Sequence, residues 1–324
     1  MKAMGNLKWK LALCVIGLAM MLGVTFVASG TPAVSAVGTC TVTVQMPAEL
    51  AAVGAKVSIY PWNSSYGNGE WFIKNVGETI TWRLIKVNGF DGPMTYNLIA
   101  AGDTMDLVVG TDTYCKMQVK NVPDGGKINY YPWNKSWTNN QEVILPMGAS
   151  ITWLLNLNGF DGQQYRKVVD CTPLDAKQAW IYVGNSSCNM KVQLAADLVT
   201  AGAKVNVYPW NTNWVNDQVI AVPIGGSCTW RLVVNGFTGN TTYTKKFDCT
   251  PLVVNGSHYC MMQVKNVPDG IKVNVYPWNT YWDNTTLIAV PISGSCTWKL
   301  TGPGAPATQH VKNFDCTALD ASAP

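Results

Sequence analysis

Ten cysteines and one aromatic phrase written four times are the residues of this 324-residue chain whose types and spacing could do chemistry. The phrase reads YPWNSSY from Tyr60, YPWNKSW from Tyr131, YPWNTNW from Tyr208 and YPWNTYW from Tyr276. The aromatics it supplies are Tyr60, Trp62 and Tyr66, then Tyr131, Trp133 and Trp137, then Tyr208, Trp210 and Trp214, then Tyr276, Trp278 and Trp282. The Tyr and the first Trp share strand parity with Lys and with Asn or Ser, so they are expected on a polar face. An outward Tyr-Trp pair beside an Asn is the chemistry of a sugar platform: a flat ring stacks on the pyranose and the amide bonds its hydroxyls. The same rings make a protein–protein anchor, because each joins apolar area to a polar tip. They also serve to pack against a loop or a neighbouring domain.

The cysteines suggest staples. Copy two holds only Cys115 and Cys171, so an internal disulfide there must join them, and the equivalent pairs are Cys188–Cys249 and Cys260–Cys316. A domain of this size buries a thin core, and a disulfide contributing ~2–4 kcal/mol is a common supplement in exported proteins. Cys228 and Cys296 stand where copies one and two have Ile80 and Ile151, as small apolar core residues; the rival pairing is Cys228–Cys249 and Cys296–Cys316. Cys40 has no partner in its own copy, where Ala101 or Gly102 takes the place of the second Cys. It is either an inert core thiol or a candidate intermolecular thiol.

Catalysis finds little support. The only histidines are His258 and His310. No His-Cys cluster, CxxC, GxSxG or phosphate-binding glycine loop occurs, so no catalytic residue, metal or cofactor is expected. The Asp residues fall in turns such as Asp91-Gly92, Asp161-Gly162 and Asp269-Gly270, which turn chemistry explains. The net charge of +4 drops to about +1 (4 − 3) without Lys2, Lys8 and Lys10. No basic cluster suited to nucleic acid remains.

The elements that must carry these residues are strands. Twenty residues separate each first Trp from a second, in Trp62/Trp82, Trp133/Trp153, Trp210/Trp230 and Trp278/Trp298, so the segment tolerates no insertion. A fixed internal period reports the architecture directly. Cys115, Met117 and Val119 alternate with Lys116, Gln118 and Lys120; Val205 and Val207 alternate with Lys204, Asn206 and Tyr208; Cys228, Trp230, Leu232 and Val234 alternate with Thr229 and Arg231. Gln218 to Val222 forms a strand stopped by Pro223, and Asn235-Gly236-Phe237 is a strong turn signal. A last strand starts at Tyr243, and residues 179–183 read as a further one. No helical period is visible after residue 36. The inward Trp beside a Cys resembles immunoglobulin-like domains, where a core Trp packs on an inter-sheet disulfide. The Cys-Trp-Cys order departs from that pattern, so the resemblance is carried no further than the sandwich.

The expected fold is therefore all-β: four tandem small antiparallel β-sandwich domains over 37–112, 113–185, 186–257 and 258–324, after an export signal over 1–36. Lys2, Lys8 and Lys10 precede the apolar run 11–28, and Ala33-Val34-Ser35-Ala36 offers a cleavage site. An uncleaved anchor is the alternative for that run. First turns alternate long, short, long, short, so neighbouring domains are expected to pack in pairs. The expected function is that of an exported, non-enzymatic protein of the cell surface or extracellular matrix, structural or self-assembling into a fibre or layer through its aromatic faces. Its expected partner is another copy of itself, with no membrane contact once the signal is removed. The alternative is a secreted multivalent carbohydrate-binding protein whose YPWNxxW loops hold a surface polysaccharide.

Overall fold

The alternation of apolar and polar residues read above decides which face of each strand is buried. In Ser227–Val234, Cys228, Trp230, Leu232 and Val234 are buried while Ser227, Thr229, Arg231 and Val233 face outward. The computed structural model describes residues 38–132, 135–177 and 186–322. The expected export signal and the strand expected over 179–183 lie outside the described residues.

The chain is all-β and forms four successive pairs of small sheets, here called units one to four. Unit three shows the plan. Its first strand, Ser187–Leu194, pairs antiparallel with Val219–Pro223 and parallel with Leu252–Val254. The second sheet runs Thr212–Trp214, Lys204–Tyr208, Ser227–Val234 and then Tyr243–Lys246. Both sheets turn their apolar faces to one core, which contains Val192, Val207, Val222, Trp230 and Leu252. The other units repeat this arrangement around their own cores.

Two features depart from the antiparallel, helix-free expectation. The last strand of each unit runs parallel to the first, as in Leu174–Asp175 on Tyr114–Lys120 and Leu319–Asp320 on Tyr259–Lys265. The chain crosses between sheets after the outermost strand of the second sheet, and it arrives pointing the same way as the first strand. The long first turns of units one and three also coil into five-residue helices, Ala48–Ala52 and Ala196–Thr200. Each is a single turn pinned by a buried leucine, Leu50 or Leu198. That is too short to show a period in sequence.

Trp230 is buried and packs on Tyr243 with ring centroids 4.7 Å apart. Trp230→Ala is expected to destabilise unit three by ~3–5 kcal/mol through the cavity left behind. Urea unfolding followed by circular dichroism measures this, and a loss under ~1 kcal/mol would contradict the core placement.

Candidate functional site

Each aromatic phrase begins at the end of a strand of the second sheet. Tyr60, Tyr208 and Tyr276 are half-buried on the outer face, and each has a cation near its ring. The Arg83 guanidinium lies 5.6 Å from the Tyr60 centroid, Arg231 lies 5.4 Å from Tyr208 and the Lys299 ammonium lies 5.4 Å from Tyr276. Tyr131 occupies the same place in unit two, opposite Thr152. The Trp that follows projects outward: Trp62 is 66%, Trp210 56% and Trp278 59% exposed. Trp133 lies outside the described residues. The second aromatic turns inward at the end of a three-residue strand. Trp137, Trp214 and Trp282 are buried in the cores, and Tyr66 packs partly buried on Phe72. The phrase thus divides into an inner Trp or Tyr that fills the core and an outer Tyr-Trp pair that does not.

The outer Trp meets the preceding unit at a turn that the sequence marks only as a turn. Asn88, Asn158 and Asn235 have φ of 50°, 51° and 48°, followed by Gly89, Gly159 and Gly236 at 91°, 83° and 81°. Two successive left-handed residues define the tight hairpin turn that Asn-Gly favours. The turn reaches into the next unit. The Asn amides donate to the carbonyls of Ile144, Ala221 and Ala289 at 2.9, 2.8 and 3.0 Å. Phe90, Phe160 and Phe237 then join the cores of units two, three and four. Phe160 meets Trp214 and Phe247 edge-on at 6.0 and 5.2 Å, and Phe237 meets Trp282 and Phe314 at 6.1 and 5.1 Å. A Cβ on Gly159 would stand 3.0 Å from the indole nitrogen of Trp210, and one on Gly236 would stand 2.7 Å from that of Trp278. A Cβ on a later glycine, Gly92, Gly162 or Gly239, would stand 3.2, 2.9 or 3.2 Å from the Cβ of Pro146, Pro223 or Pro291.

The two ends of the chain differ from these joints. Unit four has Thr301-Gly302-Pro303-Gly304 where the others have Asn-Gly-Phe, so it carries neither the amide nor the ring. Unit one has Asn75 in place of the proline, and Ile73, opposite Thr41 in the register, is 56% exposed. Its own Phe72 meets Tyr66 at a tilt with ring centroids 4.8 Å apart, and the Lys74 ammonium lies 3.9 Å above the Trp62 ring.

Alternate joints carry a second contact. Tyr114 begins unit two but packs in the core of unit one, and its hydroxyl donates to Glu49 at 2.7 Å. Lys116 pairs with the same carboxylate at 2.6 Å. Tyr259 repeats the contact between units three and four, donating to Asp197 at 2.6 Å. Both acceptors lie on the short helices of units one and three, so the alternating turn lengths produce alternating joints. The hydrogen bond to Glu49, then burial, pushes the Tyr114 hydroxyl up to about 12. Asp197 and burial do the same for Tyr259.

Cys188 and Cys249 form a disulfide with Cα atoms 5.6 Å apart, the first-to-last pairing preferred for that unit. Cys115 faces Cys171 and Cys260 faces Cys316 closely enough for thiol–thiol hydrogen bonding. Cys171, Cys249 and Cys316 adopt φ of 63°, 66° and 65°. A side-chain clasp holds that turn. In unit three Lys245 reaches Asp248 at 2.8 Å and the Thr250 hydroxyl at 2.6 Å, while the Thr250 amide donates to Asp248 at 3.2 Å. Bonds from Lys245 and then Thr250 hold the Asp248 carboxyl well below the usual range. Lys167 and Lys312 build the same clasp in units two and four. Unit one has Leu98, Ala101 and Gly102 at these positions and lacks both clasp and second Cys. Cys40 is fully buried with its Sγ 3.5 Å from the Ala101 carbonyl, which places it in the core and away from any surface another chain could reach. Cys228 and Cys296 are buried too, as the Ile-like reading requires, and burial pushes their thiols up to about 11 and about 12.

Comparison with known proteins finds no matching family model, no matching curated protein and no matching solved structure. The geometry of the joints and of the outer aromatic faces therefore carries the functional reading alone.

Two measurements check this geometry. Protein made in an oxidising compartment is expected to contain the cystines Cys115–Cys171, Cys188–Cys249 and Cys260–Cys316, with Cys40, Cys228 and Cys296 resisting alkylation until unfolding. Peptide mapping by mass spectrometry would show any other pairing. The tyrosine contacts have raised folded pKa values, so their stabilisation is complete below pH 10.0 and is lost as pH rises towards about 12. Joints one–two and three–four should therefore loosen in that window, read as tyrosinate absorbance alongside proteolysis at each joint. Equal loosening of joint two–three, which lacks the tyrosine, would refute the assignment.

Proposed function

We propose that this is an exported, non-enzymatic structural protein of the cell surface or extracellular matrix. In this reading four immunoglobulin-like sandwich domains, over 37–112, 113–185, 186–257 and 258–324, follow an export signal over 1–36. The supporting observation is the joint used three times, in which the Asn-Gly-Phe turn of one unit completes the core of the next. A phenylalanine shared across a boundary resists bending there, because bending exposes it to water. Such an array sets the spacing and orientation of its units, which suits a spacer or a display scaffold. The repeated aromatic contact then acts within the chain. Growth of a fibre or layer by the same joint would need a plug on unit four, where Thr301-Gly302-Pro303-Gly304 stands.

Small-angle X-ray scattering on the intact chain and on a Phe90→Ala/Phe160→Ala/Phe237→Ala variant tests this. The parent should behave as one stiff particle at all concentrations, and the variant as a freely jointed one, with each following unit losing ~3 kcal/mol or more. A parent already as flexible as the variant would sink the structural reading.

The second reading, a secreted multivalent carbohydrate-binding protein, is favoured by one observation. Trp62, Trp210 and Trp278 stay more than half exposed with the joints in place.

A further inference from the structure

The outer face of the second sheet carries a cation and a tyrosine that neither the joints nor the cores use, beside an outer Trp of which only one edge meets a joint. In unit one Arg83 lies opposite Ser58, in unit three Arg231 lies opposite Asn206, and in unit four Lys299 lies opposite Asn274. Two residues along the same strand, and so on the same face, stand Tyr60, Tyr208 and Tyr276. Each cation lies 5.4–5.6 Å from its tyrosine centroid. Two residues further on are the exposed Trp62, Trp210 and Trp278.

Three observations give this face a chemistry. None of Arg83, Arg231 and Lys299 joins an ion pair among the described residues. A cation held on a ring without a carboxylate keeps its capacity for an external anion. Three buried side-chain atoms among the described residues lack a hydrogen-bond partner, and two of them, Arg83 Nε and Asn274 Oδ1, belong to this set. Asn274 itself is only 4% exposed. Buried polar atoms are usually paired, so these two orphans, one in unit one and one in unit four, point to a missing partner. In unit three the Arg231 Nε donates to Thr242 at 3.0 Å and leaves the rest of the guanidinium for a ligand. Finally, unit two has the buried Leu154 opposite Asn129 in place of the cation. Tyr131 remains there without a charge, so the sandwich does not require one at this position.

A ligand that satisfies a fixed cation, an amide and exposed indoles together is a pyranose carrying a carboxylate. We propose that the outer faces of units one, three and four are three sites for an acidic polysaccharide of uronate type. The carboxylate pairs with Arg83, Arg231 or Lys299, and the sugar ring lies against the neighbouring Trp. Three weak sites on one chain reinforce each other on a polymer that spans them. This inference narrows the carbohydrate-binding reading to one ligand class and does not depend on the structural one.

Affinity electrophoresis of the intact chain in gels containing polygalacturonate, amylose or polyglutamate tests it. Polygalacturonate should retard the protein, and the other two should not. Arg231→Gln should weaken retardation about fivefold. The triple variant Arg83→Gln/Arg231→Gln/Lys299→Gln should weaken it about 100-fold, as should Trp62→Ala/Trp210→Ala/Trp278→Ala. The three Trp are exposed and the three cations half-buried, and unchanged circular dichroism confirms that the variants fold. Equal retardation by polyglutamate, or an unchanged triple glutamine variant, overturns the proposal. Retardation by amylose alone overturns the acidic ligand but keeps the carbohydrate reading, and no retardation in any gel sinks both.

Discussion

The burial of one phenylalanine across each boundary is the constraint on which the rest of the chain depends. A unit of about 70 residues buries a thin core, and its marginal stability leaves little room for an incomplete one. Units two, three and four each take part of their core from the unit before. Phe90, Phe160 and Phe237 are as buried as the residues native to those cores. The turn that delivers them must pass close to a wall of indole and proline, and this is why glycine stands at Gly159 and Gly236. Their φ values demand it, and a Cβ would collide with the ring of Trp210 or Trp278. The Asn amide then ties the turn to a main-chain carbonyl that would otherwise lie unpaired at the boundary.

The same logic explains the differences between units. Unit one takes no plug from another unit among the described residues, and Phe72 supplies in cis an aromatic contact on Tyr66. It also lacks the Lys-Asp-Thr clasp and the second Cys together, as expected if the clasp serves to hold the Cys-bearing turn in its left-handed conformation. Unit four has Thr301-Gly302-Pro303-Gly304 at its turn, which carries no plug.

The outer Tyr-Trp pair holds two roles without conflict. One edge of Trp210 or Trp278 lies over the glycine of the preceding turn, yet more than half of the residue stays exposed. A joint therefore fixes the ring without hiding it. An aromatic held in this way loses little further freedom when a ligand stacks on it.

The four-fold repeat, the strand character, the inward Trp230 and the first-to-last pairing of Cys188 with Cys249 were legible in the sequence. All of them follow from local periodicity and fixed spacing. The buried ends of the phrase at Trp137, Trp214 and Trp282 were not, because parity cannot be counted through a turn. The plug was visible only as a repeated Asn-Gly-Phe, missing in the fourth copy, and nothing local tells a turn phenylalanine which core it will enter. The parallel last strand and the short helices around Leu50 and Leu198 were equally hidden, since contacts distant in sequence hold them. The sequence by itself determined the units and their order. The tertiary structure decided how each unit completes the next and which cations were left without an ion pair, because both depend on residues brought together from separate strands and separate units.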